Sequence, residues 1–305
     1  ENRIQGKIRC EVKDDGKIEI FTAQTEMGQG EKTTFRKLLA DALSININEV
    51  LLAEVNTDLV PDSGPTVASR STMVIGSLLV EIADELIEEL TDILNTEYEK
   101  GFVYKEGYFY DGDEIISFSE AAKKIKGKHL FKSYSHPPLI KFDDINYIGD
   151  AYPVFSWAAS VAEIEVDPIT FETKVVNFYT SHDIGKAINH DQVVAQIQGG
   201  CLQGIGYALY ERTEIKNGKF DVSGFNDYIV PTLTESPNFY VNVIENPYPF
   251  GPFGAKGLGE LPLVGVGPAV ASAFWMIFNK EFNKIPILPE MILEKIFEKE
   301  GTYVD

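Results

Sequence analysis

Glu260 is the side chain in this 305-residue sequence whose surroundings are best suited to chemistry. It follows the glycine-rich run 254–259 and precedes Leu261-Pro262, inside an otherwise apolar segment. Burial would raise the pKa of its carboxyl group, because desolvation penalises the charged form. A carboxylate poised in this way beside bare backbone suits a general base at a bound cofactor. A helix-capping or salt-bridged glutamate has the same local sequence, so both interpretations stay open. The residues expected to bury it are Leu261, Leu263, Val264 and Val266.

Two loops near the start of the chain resemble ligand-holding segments. In the first, residues 25–30, Gly28 and Gly30 flank Gln29, and a helix start here would present backbone N–H groups to an anion. An ordinary helix-start turn is the alternative. The second loop, residues 61–71, combines hydroxyl groups with Gly64 and Arg70, whose guanidinium could bind a phosphate with two hydrogen bonds. Its alternative is a surface loop whose serines cap the next helix.

A predicted long helix over residues 190–211 carries a stripe of amides and bare backbone. Gln196 and Gln203 lie seven residues apart, on one face with two glycines, beside an apolar face. Each glycine within a helix costs about 1 kcal/mol relative to alanine. Four of them need a reason, and close helix packing and close approach of a ligand are equally good ones. The four are Gly199, Gly200, Gly204 and Gly206.

The elements that would position these segments mix strands and helices without regular βαβ order. Apolar and polar residues alternate over 8–12, a turn is expected at Asp15-Gly16, and a second strand follows over 18–22. This pattern predicts a β-hairpin. The other elements are predicted from the spacing of their apolar residues, which has the period of a helix in some segments and of a strand in others. The helices are predicted at 35–43, 81–100, 190–211 and after Pro268, and strands at 50–56, 152–166 and 171–180. This mixture predicts the α+β class, as two mixed α/β subdomains over residues 1–150 and 151–305.

Composition excludes several functions. The net charge of −20 and the pI near 4.6 exclude a nucleic-acid partner, which requires a basic surface. Much of the acid lies on the helix at 81–100, where it is most simply a solvated face. We find no apolar run of the roughly 18 residues that a bilayer requires, so no membrane partner is expected. Residues 1–5 lack an initiator Met and a signal-peptide pattern, so we expect the chain to begin inside a longer product or to have been trimmed.

Cysteine and histidine usage argues against a metal held by side chains. Cys10 and Cys201 are far apart, so a disulfide framework or zinc site is not expected, and cytoplasmic residence is the default. A [2Fe–2S] cluster needs four cysteines, which the chain does not have. The four histidines show no helical metal-ligand pair and are expected to be structural. They are His129, His136, His182 and His190.

The four segments occur in an order that resembles the molybdenum hydroxylases, the xanthine dehydrogenase and aldehyde oxidase family. They are Glu26-Met27-Gly28-Gln29-Gly30, residues 65–71, residues 196–204, and the run from Gly254 to Glu260. The resemblance covers nearly the whole chain and corresponds to the C-terminal half of the molybdopterin-binding region, or to a separate medium subunit. It implies two subdomains of the molybdenum cofactor-binding type.

The resemblance also implies roles for individual residues. Glu260 matches the family's catalytic base, and Gln29 with its flanking glycines matches a cofactor-binding segment. Gln203 and the second loop match positions that bind the pterin, its phosphate or the oxo ligands, and Gln196 belongs to the same contact set. The cofactor-binding residues so implied are Gly28, Gln29, Gly30, Ala68, Ser69, Arg70, Ser71, Gln196 and Gln203. The cofactor would supply the redox chemistry, and the protein would supply orientation and one base.

Several parts of the family's machinery are missing from this sequence. Family members need two [2Fe–2S] clusters, usually FAD, and a first cofactor-binding half. The resemblance therefore implies one subunit or fragment of a cytoplasmic hetero-oligomer, with partner chains carrying the other molybdopterin half, the iron–sulfur clusters and the flavin. Bacterial relatives such as nicotinate dehydrogenase split the molybdopterin region between two polypeptides. Such relatives often use the cytosine dinucleotide form of the cofactor, which we expect here.

Two classes of function follow from the sequence. The first is an enzyme subunit that hydroxylates an N-heterocycle such as xanthine or another purine, with a place in purine catabolism. Nicotinate or an aldehyde is the close alternative, because substrate selection lies mostly on the missing half. The second class is a non-catalytic scaffold that keeps the fold without the cofactor. The presence of Glu260 together with the glutamines favours the enzyme.

Overall fold

The computed structural model of the protein describes residues 4–135 and 141–297. Glu1–Arg3 and His136 therefore lie outside the described residues. The chain divides into two compact units. The first comprises Glu1–Phe155, Ile184–Gln192 and Glu245–Gly257, and the second comprises Ser156–Asp183, Val193–Ile244 and Leu258–Asp305. Two later segments thus return to the first unit. The interpretation of each unit as a molybdopterin-binding subdomain stays a prediction.

The first unit is built on a four-stranded sheet and two helices. Its elements in chain order are β1 (Lys7–Val12), β2 (Ile18–Phe21), α1 (Glu31–Ala42), β3 (Val50–Leu52), α2 (Ser71–Tyr98), β4 (Val103–Lys105), β5 (Tyr108–Asp111), β6 (Glu114–Ser117), α3 (Phe118–Ala122), β7 (His129–Ser133), β8 (Phe142–Asp143) and β9 (Ile148–Gly149). The main sheet has the order β3-β2-β1-β7, with β2 and β3 parallel and the other pairs antiparallel. Its inward side chains form one apolar core with α1 and α2.

The predicted elements of this unit are present, with different ends. The hairpin of β1 and β2 is confirmed. The strand predicted at 50–56 ends at Leu52, because β2 supplies its last ladder partner at Ile20. Helix α2 begins at Ser71, ten residues before the predicted start. Successive residues of its first turns are buried, so this part of the helix has no single apolar stripe to reveal its period.

The second unit has a three-stranded sheet covered by helices on its inner face. Its elements are β10 (Ala158–Val166), β11 (Thr173–Asp183), α4 (His190–Leu209), β12 (Ile215–Lys216), β13 (Lys219–Phe220), β14 (Asn238–Ile244), α5 (Leu261–Val264), α6 (Val266–Phe278) and α7 (Pro289–Phe297). The sheet order is β10-β11-β14, with β10 and β11 antiparallel and β11 and β14 parallel. Along β10, Glu163 and Glu165 point outward and Ile164 points toward the core, as the two-residue period of a strand requires. The mixed sheets and helices of the two units confirm the α+β class.

Helices α5 and α6 form an uncharged stretch from Leu261 to Phe278. The expectation that no apolar run reaches 18 residues is therefore wrong, because this one has 18, of which 22% are buried. By length and composition alone it could cross a membrane, a test that core helices of soluble proteins also pass. In this unit Val266, Val270 and Phe274 pack into the core.

Candidate active site

Glu260 lies at the N-cap position of α5, directly after the glycine-rich run. Its backbone carbonyl accepts a hydrogen bond from the Leu263 amide at 3.2 Å, and its side chain makes no capping hydrogen bond. The expectation that neighbouring apolar side chains bury it is wrong, because Glu260 is exposed. In α5, which begins at Leu261, Pro262 is buried and Val264 is exposed, and Val266, the first residue of α6, packs into the core. The carboxylate is therefore presented at the surface of the second unit.

Helix α4 holds the Glu260 loop in place. Gln196 donates a hydrogen bond from Nε2 to the backbone carbonyl of Gly259 at 2.9 Å. One turn later, the thiol of the buried Cys201 donates to the carbonyl of Pro262 at 3.5 Å. The residues on either side of Glu260 are thus both bound to the same helix, which fixes the backbone that carries the carboxylate.

The glycines of α4 separate into two groups. A Cβ atom at Gly200 would lie 2.8 Å from the Cβ of Pro262, and one at Gly204 would lie 2.6 Å from the Cβ of Val266. Gly206 is equally crowded by Pro231. Close packing therefore explains these three glycines. A Cβ at Gly199 would meet no described atom within 4 Å, so packing does not require this glycine.

Gly199 lies between the two glutamines that the sequence singled out. Gln203 is exposed, as is Gly199, one helical turn away. Gln196, Gly199 and Gln203 therefore form an accessible surface of amide groups and bare backbone on α4. This surface continues from the helix to the Glu260 loop through the Gln196–Gly259 hydrogen bond. The second unit thus brings three of the predicted site residues together, namely Gln196, Gln203 and Glu260.

In the first unit, the loop before α1 already contains its own anion. The backbone amides of Gly28 and Gly30 donate to Glu26 Oε1 at 2.9 Å each, and the amide of Lys32 donates to Oε2 at 3.1 Å. Burial opposes ionisation, but these three donors prevail and hold the pKa of Glu26 below its usual value. The N–H groups predicted for an external anion are thus bound to a carboxylate within the loop, which favours the helix-start interpretation.

The Gln29 side chain also folds back on this loop. Its Oε1 accepts from the amide of Met27 at 2.6 Å, and its Nε2 donates to the carbonyl of Thr25 at 2.8 Å. Gly28 and Gly30 have φ values of 110° and 80°, in the region that glycine adopts without strain. The loop is therefore tightly formed, and its most exposed large apolar side chain is Met27.

Arg70 supports the second loop from within. Its Nη1 donates to the carbonyl of Pro65 at 3.1 Å, and its Nη2 donates to the carbonyl of Gln5. Nε is buried and has no hydrogen-bond partner among the described residues. The two terminal nitrogens predicted to bind a phosphate are therefore bound to backbone carbonyls of the first unit. Helix α2, which follows, has Arg70 as its N-cap and no side-chain capping hydrogen bond.

Ala68 and Ser69 have the most constrained backbone of this loop. Both adopt left-handed conformations, with φ values of 54° and 52°. Such conformations cost residues with side chains roughly 1–3 kcal/mol each and are concentrated at ligand-binding sites. The carbonyl of Ser69 lies directly against Gly257, where a Cβ atom would be 1.5 Å from the oxygen. Only glycine allows this contact between the second loop and the run that leads to Glu260.

A buried polar network beneath the two loops was not predicted. The inward face of β2 continues beyond the strand as Thr22 and Gln24, both buried. Ser63, which is fully buried, accepts hydrogen bonds from Thr22 Oγ1 and from the Ala23 amide and donates to the carbonyl of Lys7. The signal was present in the sequence, since Ile18, Ile20, Thr22 and Gln24 keep the two-residue period of a strand.

No metal site built from side chains exists in the part of the chain that the structure describes. No group of three His, Cys, Asp or Glu residues in residues 4–135 and 141–297 is placed to hold an ion. His129 and His190 are exposed, and His182 is buried against Thr180. The available donors are amides, hydroxyls and glycine backbone. This set fits a large polar organic cofactor held by hydrogen bonds better than a bare metal ion.

Comparison with known proteins agrees with this chemistry. The molybdopterin cofactor-binding domain family matches residues 2–237. The chain is 30% identical to the 6-hydroxypseudooxynicotine dehydrogenase complex subunit gamma of Paenarthrobacter nicotinovorans, over 93% of this chain and 37% of that protein. It is 27% identical to xanthine dehydrogenase 2 of Arabidopsis thaliana, over 86% of this chain and 19% of that protein. It is 28% identical to the aldehyde oxidoreductase of Megalodesulfovibrio gigas, over 94% of this chain and 30% of that protein.

The fold agrees as well. The crystal structure of quinoline 2-oxidoreductase from Pseudomonas putida 86 superposes with a TM-score of 0.82 at 24% identity, over 97% of this chain and 38% of that one. In each comparison the chain spans well under half of the relative's length. The match to residues 2–237 covers more than half of the chain and includes all four α-helices from α1 to α4. The chain belongs to the molybdenum hydroxylase family, as a molybdopterin cofactor-binding domain.

Proposed function

We propose that Glu260 is the catalytic base of an oxidoreductase that hydroxylates an N-heterocycle such as xanthine or another purine with oxygen derived from water. The observation that carries the proposal is the placement of an exposed carboxylate between two residues tied to α4, beside the Gln196, Gly199 and Gln203 surface. A base must reach its substrate, and an exposed carboxylate on a fixed backbone can do so.

The cofactor would be held by the residues that the family resemblance marks. In the second unit these are Gln196 and Gln203, which offer amide groups beside the bare backbone of Gly199. In the first unit they are Gln29, with its flanking glycines Gly28 and Gly30, and the second loop, whose residues are Ala68, Ser69, Arg70 and Ser71. When bound, the molybdenum cofactor would supply the redox chemistry of the reaction. Glu260 would take up the proton that the attacking oxygen must lose.

The substrate class is open to direct comparison. The relatives are named for 6-hydroxypseudooxynicotine, xanthine and aldehyde oxidation, so their names support a purine no more than nicotinate or an aldehyde. Purified intact enzyme should be assayed with xanthine, nicotinate and an aromatic aldehyde under the same conditions. A kcat/KM for xanthine at least tenfold above the others supports the purine, and the reverse order supports the corresponding alternative.

Partner chains form part of the same proposal. A relative is named as one subunit of a complex, and this chain spans about a third of that relative. Its two cysteines are both buried and fewer than the four that a [2Fe–2S] cluster needs. The iron–sulfur clusters, the flavin and the other molybdopterin half would therefore lie outside this sequence, in a cytoplasmic hetero-oligomer that uses the cytosine dinucleotide form of the cofactor. Metal analysis and nucleotide release from the natively purified assembly test both points.

The decisive variant is Glu260→Gln in the intact enzyme, which keeps the shape of the side chain and removes its basicity. Turnover should be almost abolished while molybdenum content stays at the wild-type level. Glu281→Gln makes the same charge change at another exposed position of the second unit and should leave turnover unchanged. Near-normal turnover in Glu260→Gln would refute the assignment of the base. Purification of the wild-type assembly without molybdenum and pterin would instead favour the non-catalytic scaffold.

A further inference from the structure

The side of α5 and α6 that faces away from the core carries no charged residue. Val266, Val270 and Phe274 turn into the core of the second unit at a spacing of four residues. The opposite side is exposed, and its residues follow the same spacing, which places them in one row along the helix. We call this row the uncharged stripe, and its residues are Val264, Pro268, Ser272, Trp275 and Met276.

The large side chains of the uncharged stripe are among the most accessible apolar groups of the second unit. Val264 is 74% exposed, Trp275 52% and Met276 80%. A single exposed apolar side chain is ordinary on a protein surface. A contiguous exposed apolar patch marks an interaction site.

The chain covers its other exposed helix face with charge. On α2 the exposed positions from residue 81 to residue 92 are all carboxylates, namely Glu81, Asp84, Glu88 and Asp92. The stretch from Leu261 to Phe278 has no charged residue among its 18, in a chain with a net charge of −20. The lack of charge is therefore a property of this face and is not inherited from the composition of the chain.

A lipid bilayer does not fit this face. Val266, Val270 and Phe274 belong to the core, so the helix could cross a membrane only by leaving the second unit. A helix that lies on a membrane surface carries Lys and Arg on its polar side, and α5 and α6 have neither. The net charge of −20 also opposes binding to anionic lipid. A protein surface is the occupant that these properties favour.

The uncharged stripe begins beside the candidate base. Val264 lies one helical turn after Glu260, the exposed N-cap residue of α5. The matched part makes up 37% of the 6-hydroxypseudooxynicotine dehydrogenase subunit and 38% of the quinoline 2-oxidoreductase chain, so most of each polypeptide lies outside it. A remainder on the same polypeptide is held at high effective concentration beside the matched part. An uncharged face with Trp and Met has the composition of an interface core.

We propose that the uncharged stripe is the surface on which the other molybdopterin-binding half of the enzyme docks, next to Glu260. Trp275 is the central anchor, because large aromatic side chains dominate the binding energy of interfaces. The existence of that half rests on the proposed function, whereas the choice of surface rests on the exposure and the missing charge of the stripe. Docking there brings the second half within a helical turn of the exposed carboxylate.

The first test identifies the occupant by cross-linking. In the natively purified assembly, Met276 is replaced by photo-reactive p-benzoylphenylalanine, and the cross-linked peptides are identified by mass spectrometry. We expect cross-links to peptides of the other molybdopterin-binding half. The same replacement of Glu88, on the acidic face of α2, is the control and should give at least tenfold less product. Cross-links from position 276 to a second copy of this chain or to lipid, or a yield no higher than that of the control, overturn the inference.

The second test adds a charge to the stripe. The Met276 side chain is 80% exposed, so Met276→Lys leaves the core of the second unit intact. We expect the melting temperature of the intact assembly to fall by several degrees, because docking would bury an unpaired charge. Asn283→Lys adds the same charge at an exposed position beyond α6 and should leave the melting temperature unchanged. Equal melting temperatures for the two variants overturn the inference.

Failure of the docking surface is distinct from failure of the proposed function. Cross-links and melting temperatures decide the docking surface and do not depend on turnover, whereas Glu260→Gln decides the base by turnover at constant molybdenum content. Cross-links to the other half, together with near-normal turnover in Glu260→Gln, would support the surface and refute the base. The opposite pair of results would support the base and refute the surface.

Discussion

Gln196 Nε2 donates a hydrogen bond to the backbone carbonyl of Gly259, at 2.9 Å, and so connects a long helix to the residue that precedes Glu260. The carbonyl lies in a run of glycines and leucines that has few side chains of its own to fix it. An amide on a regular helix is a rigid support for such a loop, since functional groups placed on helices are held more exactly in position than those on loops. Gln196 therefore contributes to the placement of Glu260 even without touching a substrate.

We predict that Gln196→Ala lowers kcat per bound molybdenum at least tenfold in the intact enzyme. The lost hydrogen bond is worth about 1 kcal/mol of stability, so the protein should remain folded. The larger effect on turnover is expected because small displacements of a catalytic group are costly. Steady-state kinetics with metal analysis of the same preparation measures both quantities. Gln198→Ala, on the same helix, is the control, and equal kcat values for the two variants would contradict the prediction.

The glycines of α4 provide a prediction about stability alone. Gly204→Ala would place a Cβ atom 2.6 Å from the Cβ of Val266, inside the core of the second unit. Overpacking of this kind typically costs 1–3 kcal/mol. Gly199→Ala meets no described atom within 4 Å, so it should gain up to about 1 kcal/mol from the better helix propensity of alanine. Urea unfolding followed by circular dichroism gives both values, and the two variants should move the midpoint in opposite directions.

The sequence predicted those parts of the fold whose periodicity is uniform. The strand predicted over residues 152–166 is present from Ala158 to Val166, with Ile164 turned toward the core and Glu163 exposed. The start of α2 was missed, because Met73, Val74 and Ile75 are all buried and hide the helical period. Periodicity indicates an amphipathic element and fails where an element is covered on several sides.

The sequence indicated which residues form the candidate site, and it did not predict the burial and hydrogen bonds of those residues. Ordered motifs indicated the family, but the expected burial of Glu260 is wrong, because Glu260 is the exposed N-cap residue of α5 and the buried residue of that helix is Pro262. The hydrogen bond between Ser71 and Gln24 was beyond prediction from either motif, because the two residues are 47 positions apart in the chain. Hydrogen-bond direction is a property of the folded network and is absent from any one motif.

His182 gives a last prediction, on acid stability. It is 1% exposed at the end of β11, its Nε2 lies 2.8 Å from Thr180 Oγ1, and its Nδ1 is buried without a partner in the described part of the chain. Burial lowers the pKa of His182 below its usual 6.5, because a charged imidazole cannot be solvated there. Between the pKa of the folded state and the usual value of 6.5, the unfolded state therefore binds a proton that the folded state does not bind. Stability contributed by the neutral ring is present above about pH 6.5 and is lost as the pH falls through the folded value.

We expect the wild type to lose melting temperature relative to His182→Gln as the pH is lowered from 7.5 to 5, because the variant has no imidazole to charge at this position. His190→Gln is the matched control, since the His190 side chain is 68% exposed at the start of α4 and its variant should track the wild type. Differential scanning calorimetry at four pH values, in buffers of equal ionic strength, measures the shift. A constant difference between the wild type and His182→Gln across this range would mean that the ring titrates alike in the folded and the unfolded protein, and the assignment of a His182 held neutral by burial would then be wrong.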